Sequence, residues 1–231
     1  MFIRKVLQGV YCLSVLGLIA YVADPKPTVP DCSTAWCDER VTFFFSISRS
    51  LSTKAIDFKA AGIVSHVINF GVLTALVPLV IICGLPLKKQ KYWQLLGVYI
   101  MSVGCVGLIA ALFKLEIPRQ RPSVYFNMTN HTESATKSDR DDFSSFFSGD
   151  SALSAHAAMF FAMAPRNLGT PTKAFFMACA ATGCVLRVIA LMHWFSDVLT
   201  GVAVGILGAI ISTALFENVF KELNDIIAIQ L

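Results

Sequence analysis

Charge is scarce in this chain: Asp, Glu, Lys and Arg together make up 15% of its 231 residues. Beside a hydrophobic share of 55% and a mean hydropathy of +0.65, that shortage excludes an ordinary soluble domain. Internal repeats are lacking, which excludes a repeat array, and the low-complexity character is confined to one polar loop. The seven cysteines show no metal-ligand spacing, so no metal site is expected. Histidine is limited to His66, His131, His156 and His193, which leaves histidine chemistry few places to sit.

What the chain has in quantity is apolar runs that approach the roughly 20 residues needed to cross a bilayer. Six candidate spans follow, at about Val6 to Ala23, Ile63 to Leu85, Leu95 to Phe113, Ser151 to Ala164, Ala174 to Leu186 and Val198 to Phe216. The fourth and fifth are short for a crossing at roughly 1.5 Å per residue, so their polar ends are expected just inside the interface. Arg4-Lys5 ahead of the first run also fits a secretory signal. Tyr21 breaks the small-residue pattern before a cut after Ala23, however, and a retained helix is expected. The expected fold class is all-α, an integral membrane protein with six transmembrane helices in a single domain over residues 1–231.

If the spans alternate, the N-terminus, the Lys88-Lys89-Gln90-Lys91 loop, the Arg166 to Lys173 loop and the C-terminal tail share one side. That side holds eight of the 19 basic residues but only Glu217, Glu222 and Asp225 of the 15 acidic ones. Short basic flanks stay cytoplasmic, so the other polar segments are expected to face outward. One of them, residues 24–62, carries Cys32 and Cys37, free to pair in an oxidising compartment, and Phe43-Phe44-Phe45, a candidate start for an interfacial helix. The other, about 123–147, reads as a flexible loop. Its triplets Asn127-Met128-Thr129 and Asn130-His131-Thr132 match a glycosylation pattern that arises often by chance. Cys12, Cys83, Cys105, Cys179 and Cys184 fall within spans and read as small packing residues, while Tyr92, Trp93 and Trp194 fit interfacial anchoring.

Three polar clusters stand where apolar runs meet polar ones: Lys114 with Arg121-Pro122, then Ser148-Gly149-Asp150, then Arg187 with His193 and Asp197. Pro118 and Pro122 stiffen the segment between Lys114 and Arg121 and hold two cations at a fixed spacing. A guanidinium grips phosphate oxygens with two parallel bonds and an ammonium acts as a point charge. The plain alternative is a charged membrane-edge anchor. His193 and Asp197, four apart, share a face on a helix, where the carboxylate accepts a hydrogen from one ring nitrogen and aims the other at an electrophile. Arg187 does not share that face in one unbroken helix, so the fifth helix is expected to end before His193.

Lys114-x6-Arg121-Pro122, Ser148-Gly149 and Arg187-x5-His193-x3-Asp197 resemble, in order and spacing, the three signature motifs of the type 2 phosphatidic acid phosphatase (PAP2) family, in its membrane lipid phosphatase branch. By motif the resemblance covers about 114–197, and the six-span layout extends it to nearly the whole chain. It implies a metal-independent, cofactor-free hydrolysis in two steps. His193 would attack phosphorus to form a phosphohistidine and Asp197 would orient it. Lys114, Arg121, Arg187, Ser148 and Gly149 would cradle the phosphate, with amides at a helix start adding donors. The implied partners are a phosphorylated membrane lipid and the bilayer, and no nucleic acid. Candidate lipids are phosphatidic acid or phosphatidylglycerol phosphate, undecaprenyl diphosphate, and lipid A carrying a 1-phosphate. The expected setting is a bacterial inner membrane with the site on its periplasmic side. A lipid phosphotransferase using the same histidine, or a non-catalytic lipid-binding or transport relative, stays open, and the sequence sets no oligomeric state.

The middle motif departs from the family's Ser-Gly-His, whose histidine protonates the leaving group. Two alignments compete: Ser148-Gly149-Asp150, or Leu153-Ser154-Ala155-His156. Antiparallel fourth and fifth helices joined near Leu168 put Gly149 level with Arg187 and His156 about 9 Å deeper, so Asp150 is preferred as the third catalytic candidate. An Asp beside arginines and a helix N-terminus is a poor acid at neutral pH, which favours leaving groups that need little protonation, such as the phosphate of a lipid diphosphate or the anomeric oxygen of a sugar 1-phosphate. The alternative brings His156 to the site through a bent helix. His66 reads as interfacial or packing, and His131 as a solvated loop residue.

Overall fold

The computed structural model describes residues 58–69, 71, 89–125, 143–163 and 169–217. The expected first span, most of the second, Cys12, Cys83, the Cys32 and Cys37 pair, the Phe43 run, both Asn triplets with His131, Lys88, Arg166, the C-terminal tail and the side chain of Tyr92 lie outside the described residues.

The described chain is helical, with one isolated bridge between Arg119 and Ser144. Helix α1 spans Phe58–His66, beginning five residues before the expected Ile63, and passes into wider π-type turns at 67–69. Helix α2 runs Lys89–Glu116, α3 is the single turn Pro122–Tyr125, α4 is Gly149–Met163, α5 is Thr170–Ile189 and α6 is Phe195–Leu215. Three of these, α2 from Trp93, α5 and α6, are long and apolar enough to cross a membrane. The short fifth span expected from Ala174 to Leu186 is thereby corrected. Pro171, with its preset φ, lets the helix start at Thr170, and Arg187 closes it where the helix dipole favours a cation. Helix α4 stays short, its 15 residues rising about 22 Å.

The helices meet over a core of Leu95, Val98 and Tyr99 from α2, Ala157, Phe160 and Phe161 from α4, Phe176 from α5 and Ala209 from α6. Phe161 and Phe176 meet as a tilted pair with ring centres 4.6 Å apart, which joins α4 to α5. Facing the other way, Phe175, Met177 and Val185 on α5 and Leu199, Leu207, Ile210 and Ile211 on α6 are exposed, a surface suited to hydrocarbon.

Helices α4 and α6 approach backbone to backbone because α6 is bare where they cross. A Cβ on Gly201 would lie 2.4 Å from the Ser148 carbonyl oxygen, and one on Gly205 would lie 2.1 Å from that of Ala152. This is the small-residue contact by which membrane helices pack closely. Gly205→Ala is therefore expected to cost about 1–3 kcal/mol by overpacking, seen as a lower melting temperature in detergent. Gly104→Ala, where an added Cβ meets nothing within 4 Å, is the control and should lose no stability.

One polar rung crosses this core. His156 Nε2 is hydrogen-bonded to Ser102 of α2, whose hydroxyl donates to Ser212 of α6 at 2.8 Å. The imidazole sits beside Tyr99 and Phe160, fully buried, and Nδ1 has no hydrogen-bond partner among the described residues. Cys105, Cys179 and Cys184 form no disulfide among the described residues.

Candidate active site

The ends of α2, α4, α5 and α6 bring the three sequence clusters together. Lys114 lies in the last turn of α2, and its Nζ stands 4.0 Å from where a Gly149 Cβ would be, directly over the start of α4. A larger residue at 149 would fill that space. After α2 the chain runs extended and pairs with the stretch that leads into α4: the Arg119 amide donates to the Phe143 carbonyl at 2.8 Å, and the Ser145 amide donates to the Arg119 carbonyl at 3.0 Å. Two further bonds fasten this strap to the turn between α5 and α6. The Ser123 amide donates to the Leu191 carbonyl, and the Trp194 indole donates to the Gln120 carbonyl at 2.7 Å.

The turn itself spans Ala190 to Trp194, so α5 does end between Arg187 and His193, as the spacing of the motif requires. Leu191, fully buried, holds φ at 54°, a left-handed conformation that costs a non-glycine residue roughly 1–2 kcal/mol. The surrounding contacts offset that cost, and the bend presents His193 ahead of α6. The expectation that His193 and Asp197 share one helical face is corrected here: His193 precedes the helix, while Asp197 is the third residue inside it and accepts from the Trp194 amide at 3.1 Å.

The imidazole is accordingly held by a different group. His193 Nδ1 is 2.8 Å from the Ser145 carbonyl oxygen and 4.0 Å from Asp197 Oδ2. A carbonyl only accepts, so Nδ1 carries the proton and Nε2 keeps its lone pair. Asp197 acts one step removed. Its Oδ2 accepts from the Ser145 hydroxyl at 2.5 Å, fixing the residue whose carbonyl holds the histidine, and its Oδ1 accepts from Arg119 Nη1 at 2.5 Å. Arg119 also donates to Ser196 at 2.8 Å and lies 5.4 Å from the Trp194 ring centre. The pair of Arg119 and Asp197 is almost wholly buried.

Around His193 the field is strongly positive. Burial above all, then the charges of Arg121, Lys114 and Arg187, hold its pKa well below the ordinary histidine value, against a weaker opposing pull from the Ser145 carbonyl. Neutral imidazole with a lone pair amid three cations suits attack on an anionic electrophile.

Ser148, the residue before α4, is fully buried. Its hydroxyl is bonded to that of Ser151 at 2.8 Å, and its amide donates to the Asp197 carbonyl at 3.1 Å. Asp150, in the first turn of α4, is paired with Arg187 through Oδ2 and Nη2. His156, two turns deeper, belongs to the rung with Ser102 and Ser212 and is not among the groups that meet Arg187.

Arg119, Ser145 and His66 are the neighbours that sequence reasoning missed. His66 Nδ1 lies 3.3 Å from Arg187 Nη2 and 3.9 Å from Asp150 Oδ2. Helix α1 is seated there by the Ser65 hydroxyl, which donates to the Gly183 carbonyl at 3.0 Å, and by Gly62 against Met192. The one signal for Arg119 was its place in Arg119-Gln120-Arg121, between two prolines. Among the described residues no group of three or more His, Cys, Asp or Glu is placed to hold a metal.

The PAP2 superfamily matches residues 91–221, more than half of the chain. No curated protein sequence matches it. Among solved structures, one described as the crystal structure of Aquifex aeolicus LpxE is similar in fold, with a TM-score of 0.52 and 19% identity, covering 73% of this chain and 93% of that one. All three polar clusters, from Lys114 to Asp197, lie inside the matched segment, and the chain belongs to the PAP2 superfamily.

Proposed function

We propose that this protein is an integral membrane lipid phosphatase that works through a phosphohistidine on His193. The observation that carries the reading is the imidazole itself, buried, tied through Nδ1–H to the Ser145 carbonyl and ringed by Lys114, Arg121 and Arg187. In the first step Nε2 attacks phosphorus, a P–N bond forms and the bond to the lipid oxygen breaks. The three cations stabilise charge as it spreads over the phosphoryl oxygens. In the second step water attacks phosphorus, the P–N bond breaks and phosphate leaves. Asp197 steadies the imidazolium through Ser145 while Arg119 compensates the carboxylate.

A lipid substrate is supported by an apolar cavity of about 380 Å³ between α4, α5 and α6, lined by Ala155, Cys184, Val188, Phe195, Val198 and Leu199 among others. Val188 and Phe195 adjoin Arg187 and the His193 turn, so an acyl chain lying in the cavity would leave its headgroup at the cations. In this reading six helices span the membrane, with the site at the outer leaflet of a bacterial inner membrane.

The test is phosphate release by purified protein in detergent with EDTA present, from phosphatidic acid, phosphatidylglycerol phosphate, undecaprenyl diphosphate and lipid A 1-phosphate. Release from one of them in EDTA is the expected result. Release that vanishes in EDTA and returns with a divalent cation would remove metal independence from the reading. No release from any would point to transfer onto an alcohol acceptor.

A further inference from the structure

The cavity between α4, α5 and α6 is long and narrow. Its wall follows α5 from Val188 to Met177 and α6 from Phe195 to Ile206, which at the helical rise of roughly 1.5 Å per residue makes it about 16 Å long. That is close to one leaflet, half of the roughly 30 Å hydrocarbon core. Spread over this length, its volume of about 380 Å³ leaves a section of about 24 Å². Carbons of neighbouring chains keep roughly 4 Å apart, so such a section admits one alkyl chain and not two abreast. A helix, roughly 10 Å across, is too wide for it. Every residue of the wall is apolar, so a headgroup or an extended peptide would find no partner there. We propose that this slot holds a single tail of the substrate lipid, and that the tail lying in it sets where phosphorus stands over His193.

This inference rests on the phosphatase reading, and two observations tie one end of the slot to the phosphate site. Cys184, in the wall, is hydrogen-bonded through its thiol to Ser151, and Ser151 is bonded to Ser148 at 2.8 Å. Val188 and Val198, which share a buried cluster with Cys184, stand next to Arg187 and Asp197 in the chain. From that end the slot runs down past Ala155 of α4 and Ala181 of α5. The pairs of Asp150 with Arg187 and Phe161 with Phe176 fix α4 and α5 in one antiparallel register, which sets Ala155 level with Ala181. A bilayer already gives the tail an apolar medium, so the slot adds little affinity. What it adds is position, which counts toward the rate when it brings phosphorus to the same place at each encounter.

Two lipids with one headgroup and different tails test it. Ala181 is exposed in the slot, seven positions and so about 10 Å from Val188, and Ala181→Phe would block the passage there. An extended eight-carbon tail, roughly 9 Å long, ends above the block, and a sixteen-carbon tail does not. Ala181→Phe is expected to lower kcat/KM on dipalmitoyl phosphatidic acid by about 10-fold or more, as overfilling a packed site does, and on dioctanoyl phosphatidic acid by less than about 2-fold. Thr182→Phe, exposed at the same level but outside the wall, should leave both lipids within about 2-fold. Turnover of the short lipid in the same sample shows that the variant is folded. No loss on either lipid, an equal loss on both, or the same split in Thr182→Phe overturns the slot while the phosphatase reading stands. If the wild-type protein releases phosphate from neither, a sixteen-carbon phosphatidic acid with a diazirine at its tail end separates the two readings. Label on Met177 or Ile206 that Ala181→Phe abolishes keeps the slot without the phosphatase, and label elsewhere removes both.

Discussion

Replacing His193 with alanine is expected to lower phosphate release by about 10⁴-fold or more, the scale on which a covalent mechanism collapses when its nucleophile is removed. The variant should also fail to form the acid-labile, alkali-stable phosphoenzyme expected when wild-type protein is quenched during turnover. Because the field of Arg121, Lys114 and Arg187 adds to burial in holding the imidazole neutral, the nucleophile stays unprotonated well below pH 6.5. The acid limb set by His193 in a kcat/KM profile should therefore lie well under the ordinary histidine value. Stability follows the same sign. Below about pH 6.5 the unfolded chain takes up a proton at this position and the folded chain does not, so folding weakens as pH falls through that range. Retention of more than about a tenth of the wild-type rate in His193→Ala would rule out the phosphohistidine.

Arg119→Met carries the second large effect, and its first readout is stability. Asp197 is fully buried, and Arg119 supplies its compensating charge through a 2.5 Å bond. Taking away one partner of such a pair leaves a charge without compensation and costs about 3–5 kcal/mol. A drop of that size in denaturant titration is the expected outcome, with Arg119→Lys recovering part of it. Activity should fall as well, in kcat more than in KM, because Ser145 is fixed by Asp197 and His193 is fixed by Ser145. Arg119 itself is placed in the support of the nucleophile, so a change confined to KM would contradict this chain of contacts.

The residues that were legible in the sequence are those with chemical identity and local context. Lys114, Arg121, Arg187, His193 and Asp197 stand out because each is an ionisable group at the margin of an apolar run, and three helix ends collect them. The apolar runs found the bodies of α2, α5 and α6, and they misjudged the ends because capping and dipole effects, which set helix ends, leave weak marks in composition. The support behind the site was hidden for two reasons. The bond that orients His193 goes to a backbone carbonyl, which every residue possesses, so Ser145 has no sequence signature for that role. The pairs of Arg119 with Asp197 and His66 with Arg187 span 78 and 121 positions, beyond the reach of any local pattern. Asp150 and His156 were separable because the rise of a helix converts six residues into a distance, and the contacts of each follow that distance.

The rung of Ser102, His156 and Ser212 bears on how this chain assembles. Within a bilayer, lipid tails are as apolar as leucine, so greasy helix faces gain little by choosing one another over lipid. Three polar groups on separate helices do have a preference: Ser212 can fall back on the Gly208 and Ala209 carbonyls of its own helix, but the His156 ring alone would face hydrocarbon without a partner. The rung gives α2, α4 and α6 a reason to meet and sets their register along the bundle, because a slip by one turn would separate all three groups. His156 in this position belongs to the coming together of these three helices.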